Sequence, residues 1–117
     1  MTYSKGLHIL AEIDTAVIEA LTDYAAAKLL LQKIIEKHRL TIVSEVFTNF
    51  EGGGFTGVYC LTESHISIHT WPAFERVTYD VFLSNFRNNN EAIVRDIYKE
   101  LVTFFQPTGL NLNELYR

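Results

Sequence analysis

Two histidines four residues apart stand among serine, glutamate and tryptophan in the stretch Thr62-Glu63-Ser64-His65-Ile66-Ser67-Ile68-His69-Thr70-Trp71-Pro72. At that spacing a helix would present both rings to one metal ion. The β-branched content and Pro72 argue for a strand instead, on which His65 and His69 stand roughly 13 Å apart at about 3.3 Å per residue. Direct ligands to one ion cannot span that distance, so a metal shared by this pair is not expected. Ser64 beside histidines also suggests a hydrolase nucleophile, but no strand-turn-helix elbow surrounds it. On a strand, His65, Ser67, His69 and Trp71 share one face, with Ile66 and Ile68 on the other. A polar and aromatic row opposite an apolar row is either a solvated face or a site.

The flanking pattern says what must hold that row. Leu7, Ile9, Ala11 and Ile13 alternate with His8, Leu10 and Glu12, the period of a strand. Thr22-Asp23 offers an N-cap for a helix reaching about His38, rich in alanine and leucine, with Lys33, Lys37, His38 and Arg39 at its C-terminal end. His38 is expected to interact with that helix end. Residues 40–50, 56–62, 65–70 and 76–83 read as four further strands, and Gly52-Gly53-Gly54 as a hairpin turn without the lysine or helix start of a phosphate cradle. Asn88-Asn89-Asn90 precedes a second helix over 91–105 whose stripe is Ile93, Ile97, Leu101 and Phe104, stopped before Pro107. The tail carries Leu110, Leu112 and Leu115 and is expected to pack or to form an edge strand. Strand, helix, a run of strands joined by short links, then helix predicts an α+β two-layer sandwich. Its sheet is antiparallel, with two helices packed on one face.

Composition limits the function classes. The 117 residues predict a single domain over 1–117, with 10 basic against 14 acidic side chains and a net charge of −4. That balance offers no positive footprint for phosphates, so no nucleic-acid partner is expected. The single cysteine excludes an internal disulfide and fits a reducing compartment. Charges interrupt every apolar run before about 18 residues, so no membrane span is expected. The start Met1-Thr2-Tyr3-Ser4-Lys5 is unlike a signal peptide, and the expected location is cytoplasmic. Aromatic content of 13% is generous for so small a core, which leaves rings for a ligand or a second copy.

Glu63-Ser64-His65 with Ile68-His69-Thr70-Trp71-Pro72, followed by Asp80-Val81-Phe82, resembles the prokaryotic S-adenosylmethionine decarboxylase family. The similarity extends back to Gly6-x-His8 and Glu12, and to Phe50, the glycine turn and Thr56-Gly57. The resemblance implies a self-processing, pyruvoyl-dependent decarboxylase of polyamine (spermidine) synthesis. Its chain would cleave between Glu63 and Ser64, leaving a pyruvoyl group derived from Ser64. By the same resemblance His69 is the processing base, and Thr56 stands where the family has a serine whose hydroxyl assists. The pyruvoyl ketone would form a Schiff base with the substrate amine and act as an electron sink. The resemblance further implies that Phe50 is the ring that stacks on adenine, that Trp71 and Glu12 fall in the substrate pocket, and that the expected assembly is a homodimer.

The match breaks at two positions. Two residues after Phe82 the family has a cysteine that reprotonates the substrate carbon, and here Ser84 stands there. A thiol of pKa about 8.5 can donate a proton at neutral pH, whereas a serine hydroxyl can at best relay one from water. Cys60, the only thiol, is expected in the core. Ala73 follows Trp71-Pro72 where the family usually has glutamate, removing a partner for substrate polar groups. Both departures touch turnover or recognition, while Ser64, His69 and Thr56 touch processing. The alternatives are a pyruvoyl decarboxylase for another amine (ornithine or arginine) and a non-catalytic paralogue acting as partner subunit.

Overall fold

The alternating and helical patterns fold, in a computed structural model describing residues 3–117, into one six-stranded antiparallel sheet with helices against one face. Met1 and Thr2 of the amino-terminal stretch lie outside the described residues. The elements are β1 (Leu7–Thr15), α1 (Glu19–Thr22), α2 (Ala25–Lys37), β2 (Ile42–Asn49), β3 (Phe55–Leu61), β4 (Ser64–Trp71), β5 (Arg76–Leu83), α3 (Glu91–Phe105) and β6 (Pro107–Tyr116). Spatial order is β2-β3-β4-β5-β1-β6. Consecutive strands from β2 to β5 pair by short links, and β1 inserts between β5 and the terminal β6.

One row of every inner strand faces the helices. Ile9, Ala11 and Ile13 of β1, Ile66 and Ile68 of β4, and Val77, Tyr79 and Val81 of β5 are buried there. They meet Leu31, Ile34 and Ile35 of α2 and Val94, Ile97, Leu101 and Phe105 of α3. Each such aliphatic side chain contributes about 1.5–3 kcal/mol when fully buried. The stripe of α3 sits one residue away from the expected one at its ends. Val94 and Phe105 are buried, while Ile93 and Phe104 only flank the core. Phe105 is favoured because its ring meets Tyr79 at the sheet while Phe104 packs edge-on against it.

Two other expectations are corrected, those for Thr22 and His38. Thr22 is not an N-cap; it ends the short α1, and Asp23 Oδ1 instead accepts from the Ala25 N–H at the start of α2. β2 is the strand expected over 40–50, at the edge of the sheet with almost every residue exposed and Phe47 packed on Tyr24. The His38 side chain bonds across to Asp96 of α3 at 2.6 Å while its backbone N–H closes the end of α2. The carboxyl of Asp96, held by Lys37 and then His38, lies below the usual range. The tail forms the edge strand β6 on β1.

Gly57 marks a close approach. A Cβ built there would lie 2.2 Å from the Phe47 ring, which packs between Tyr24 and Tyr59. Gly57→Ala is therefore expected to cost about 1–3 kcal/mol as the ring is pushed out. Thermal unfolding measures it, at about 4–8 °C per kcal/mol for a domain of this size.

Candidate active site

Register carries the odd-numbered residues of β4 to the helix-free face. His65 lies opposite Phe82 and Cys60, Ser67 opposite Asp80 and Val58, and His69 opposite Thr78 and Thr56. On β1 the same face takes His8, Leu10 and Glu12, opposite Phe82, Asp80 and Thr78. Two groups of side chains form at opposite ends of β4, one where Ser64, of the opposite parity, opens the strand beside His65, and one on this face around His69.

The first group surrounds Ser64. Ser64 is the first residue of β4 and has φ 152°, a positive value that residues other than glycine rarely hold. Such a backbone costs on the order of 1–3 kcal/mol and is kept where its surroundings impose it. The peptide carbonyl before it, that of Glu63, accepts the backbone N–H of Ser84 at 2.8 Å. Ser84 is held in turn by Asn90, whose Nδ2 donates to its carbonyl at 2.8 Å. Glu63 and Ser84 line one wall of a cavity of about 320 Å³ with Phe86, Arg87 and Asn88.

Next to Ser64 lies a polar cluster. The Ser64 hydroxyl meets His65 Nδ1 at 3.1 Å, and His65 Nε2 donates to Asp80 Oδ2 at 2.7 Å. His8 Nε2 donates to the same oxygen at 2.8 Å, and Ser67 Oγ donates to Asp80 Oδ1. Burial pushes the Asp80 carboxyl up, but the bonds from Ser67, His8 and His65 outweigh it and hold it below its ordinary value. His8 is buried, neither an exposed position nor an open pocket wall.

The second group lies around His69. Its Nδ1 faces the Thr56 hydroxyl at 3.1 Å, and its ring lies 6.2 Å from that of Trp71. Thr70 is buried behind them, donating to Leu21 O and accepting the Phe55 N–H, so β4 is tied to α1 and β3 at this point. Gly52, Gly53 and Gly54 all have φ near +90°, as only glycine adopts without strain, and they turn the hairpin back toward Pro72. The result is a cavity of about 380 Å³ lined by Phe50, Thr56, His69, Trp71, Ala73 and Phe74 among others. Phe50, Trp71 and Phe74 are 51%, 43% and 76% exposed, an aromatic group open to a planar ligand and not a core cluster. Glu12 and His69 share a shallower cavity of about 220 Å³ nearby.

Of the residues singled out in the sequence, the fold joins Ser64, Glu63 and Ser84 at one end of β4. It joins Phe50, Thr56, His69 and Trp71 at the other. It does not join the two groups, since five residues of strand separate Ser64 from His69 by roughly 16 Å at about 3.3 Å each. Cys60 is exposed on the helix-free face, not in the core, because its strand parity matches His65. His8, His65 and Asp80 were visible as strand residues of suitable parity; the β4–β5 pairing brings His65 to Asp80, and only the non-sequential pairing of β1 with β5 adds His8. No helix among the described residues is long and apolar enough to cross a membrane.

A sequence profile described as "S-adenosylmethionine decarboxylase" matches residues 7–117. An S-adenosylmethionine decarboxylase proenzyme of Archaeoglobus fulgidus is 35% identical over 77 residues, 66% of this chain and 69% of that protein. One of Picrophilus torridus is 28% identical over 117 residues, 100% of this chain and 87% of its own length. The crystal structure of the adenosylmethionine decarboxylase from Aquifex aeolicus superposes with a TM-score of 0.85 at 28% identity, covering 99% of this chain and 92% of that one.

Proposed function

Because this chain belongs to the S-adenosylmethionine decarboxylase family, we propose that it is a self-cleaving, pyruvoyl-dependent carboxy-lyase acting on S-adenosylmethionine for polyamine (spermidine) synthesis. The whole of 1–117 is one such unit, with its backbone cut between Glu63 and Ser64. The observation that carries this reading is Ser64 itself: a serine at φ 152° whose preceding carbonyl is already polarised by the Ser84 N–H. Strain in the ground state and a donor on the carbonyl oxygen both favour attack by the Ser64 hydroxyl on Glu63. An ester at Ser64 Oγ follows. Removal of the Ser64 α-proton then expels the Glu63 carboxylate, and water replaces the resulting imine nitrogen, which leaves as ammonia. His69, braced by Thr56, is the base for the α-proton.

The pyruvoyl group supplies an electron sink for loss of the substrate carboxyl group. The chain's own part is binding and proton supply. Phe50 and Trp71 offer ring faces to the adenine, and Glu12 a carboxylate to the substrate's cationic end. Ala73 contributes no polar contact. Ser84 delivers the proton to the substrate carbon by relay from water.

The 16 Å between Ser64 and His69 makes a homodimer part of the reading. The helix-free face, which holds His65 and the His69 group and abuts Ser64 at its end, also leaves Val46 exposed and is continuous across all six strands. Two such faces packed together bury that surface and bring the His69 group of one copy to Ser64 of the other.

Intact-protein mass spectrometry on freshly purified chain tests the reading. Two fragments split at Glu63/Ser64 are expected, the second lacking the ammonia of a serine N-terminus, with CO₂ release on adding S-adenosylmethionine. A single mass persisting on incubation would overturn it.

A further inference from the structure

We infer that His65 is the base that activates the Ser64 hydroxyl for self-cleavage and that Asp80 is the residue positioning it. This rests on the self-cleaving reading above and names the proton path that reading leaves open. His69 cannot serve its own Ser64, being five strand residues away, and the Ser64 hydroxyl touches a different ring, His65 Nδ1, at 3.1 Å. The tautomer follows from the partners. An ionised carboxylate has no proton to give, so His65 Nε2 must carry the hydrogen of its 2.7 Å bond to Asp80 Oδ2. In the neutral ring Nδ1 is then a bare lone pair, aimed at the serine. This is the logic of a serine–histidine–aspartate relay, recognised by geometry and role and not by fold.

The neighbours complete the arrangement. His8 is buried, and its Nδ1 has no partner, so a proton placed there would find no acceptor. His8 therefore serves as a donor to Asp80, beside the Ser67 hydroxyl, and His65 is left as the group that takes up a proton. Both histidines pack against the Phe82 ring, which limits their rotation. On the other side of the scissile bond the Ser84 N–H already binds the Glu63 oxygen.

The step balances. The Ser64 proton passes to His65 Nδ1 as Oγ bonds to the Glu63 carbonyl carbon, and the negative charge falls on the oxygen facing the Ser84 N–H. The carbon–nitrogen bond of the peptide then breaks. The departing nitrogen takes the proton back from His65, leaving a neutral imidazole, an ester and a free amine. No co-reactant is needed until the later hydrolysis.

The test uses the full chain made by cell-free synthesis, so that zero time is uncleaved, with cleavage followed by intact mass. Wild type is expected to cleave, and His65→Ala to slow cleavage by on the order of 10²-fold. Added imidazole should restore part of that rate, which a purely structural role would not allow. Asp80→Asn should slow cleavage, because the carboxylate no longer fixes the hydrogen on His65 Nε2, and should slow it no further in a chain where His65 is already alanine. The titratable and charged groups around that ring are Asp80, His8 of β1, Cys60 of β3 and Arg117, whose guanidinium lies over Phe82. His65→Ala cleaving at the wild-type rate would overturn the inference while leaving self-cleavage intact. So would a folded His65→Ala chain that imidazole does not rescue. Should that variant lose its wild-type circular dichroism, Asp80→Asn decides, an unchanged cleavage rate in the folded chain counting against the relay. His8 and His65 Nε2 and Asp80 Oδ2 also lie within 4.8 Å of one another, a spacing that suits a divalent ion. Cleavage halted by a chelator would overturn the relay in favour of a metal. A wild-type chain that never cleaves would instead bring down the self-cleaving reading itself.

Discussion

Mixing a Ser64→Ala chain with a His69→Ala chain is expected to restore cleavage that neither shows alone. Each variant lacks one half of the chemistry in every homodimer it forms. A mixed dimer carries one complete pairing, Ser64 of the His69→Ala chain facing His69 of the Ser64→Ala chain. Only the His69→Ala chain should be cut, and random pairing at equal amounts limits this to about half of its molecules. Co-refolding followed by intact mass reads the result directly, because the two chains differ in mass. The prediction comes from the span of β4: Ser64 opens the strand and His69 stands five residues along it, on Thr56. Mixed dimers that form without cleavage would show that the two groups do not meet across the interface. Full cleavage of His69→Ala alone would remove His69 from processing.

Ser84→Cys is expected to raise turnover of S-adenosylmethionine by about tenfold or more while leaving self-cleavage unchanged. The two roles of this residue are separable. For cleavage it contributes a backbone N–H to the Glu63 carbonyl, which any residue at position 84 supplies. For turnover it must hand a proton to carbon, where a thiol near pKa 8.5 is a far better donor than a hydroxyl. Asn90 holds the Ser84 carbonyl, and Asn85 Nδ2 donates to Lys5 O, so the loop has no reason to move on an oxygen-to-sulfur change. Measuring the cleaved fraction by mass and CO₂ release per cleaved chain separates the effects. Equal turnover in the two proteins would show that the proton reaches the substrate from another group, and a loss of cleavage would show that the side chain matters to processing.

On the proposed reading, Ser84 and Ala73 leave the groups assigned to cleavage in place. The departures fall on side chains that a substrate would touch. The strained Ser64, the donor on the Glu63 oxygen and the bonded His65 do not depend on them.

Much of the architecture was legible in residue order. Period-two alternation in β1, β4 and β5 follows from side chains pointing to opposite faces of a strand, and the spacing in α3 from the helical turn. The Glu63-Ser64-His65 and His69-Thr70-Trp71-Pro72 runs identified the candidate site for the same local reason, since motif residues are close in the chain. Parity on β4 also placed His65, Ser67, His69 and Trp71 on one face. The short α1, the offset of the α3 stripe and the exposure of β2 were not legible, because each depends on what lies across the core or beyond the helices.

Tertiary structure alone decided one contact of the site. His8 joins Asp80 and His65 because β1 slots between β5 and β6, a pairing of residues more than seventy positions apart that no local pattern encodes. The separation of Ser64 and His69, neighbours in sequence and members of one motif, already follows from the strand reading, since an extended strand advances about 3.3 Å with every residue. Sequence by itself determined which groups could react, since that depends only on their chemistry and on local spacing. Which of them meet was decided by the sheet, whose hydrogen-bond register sets distances that the chain order does not contain.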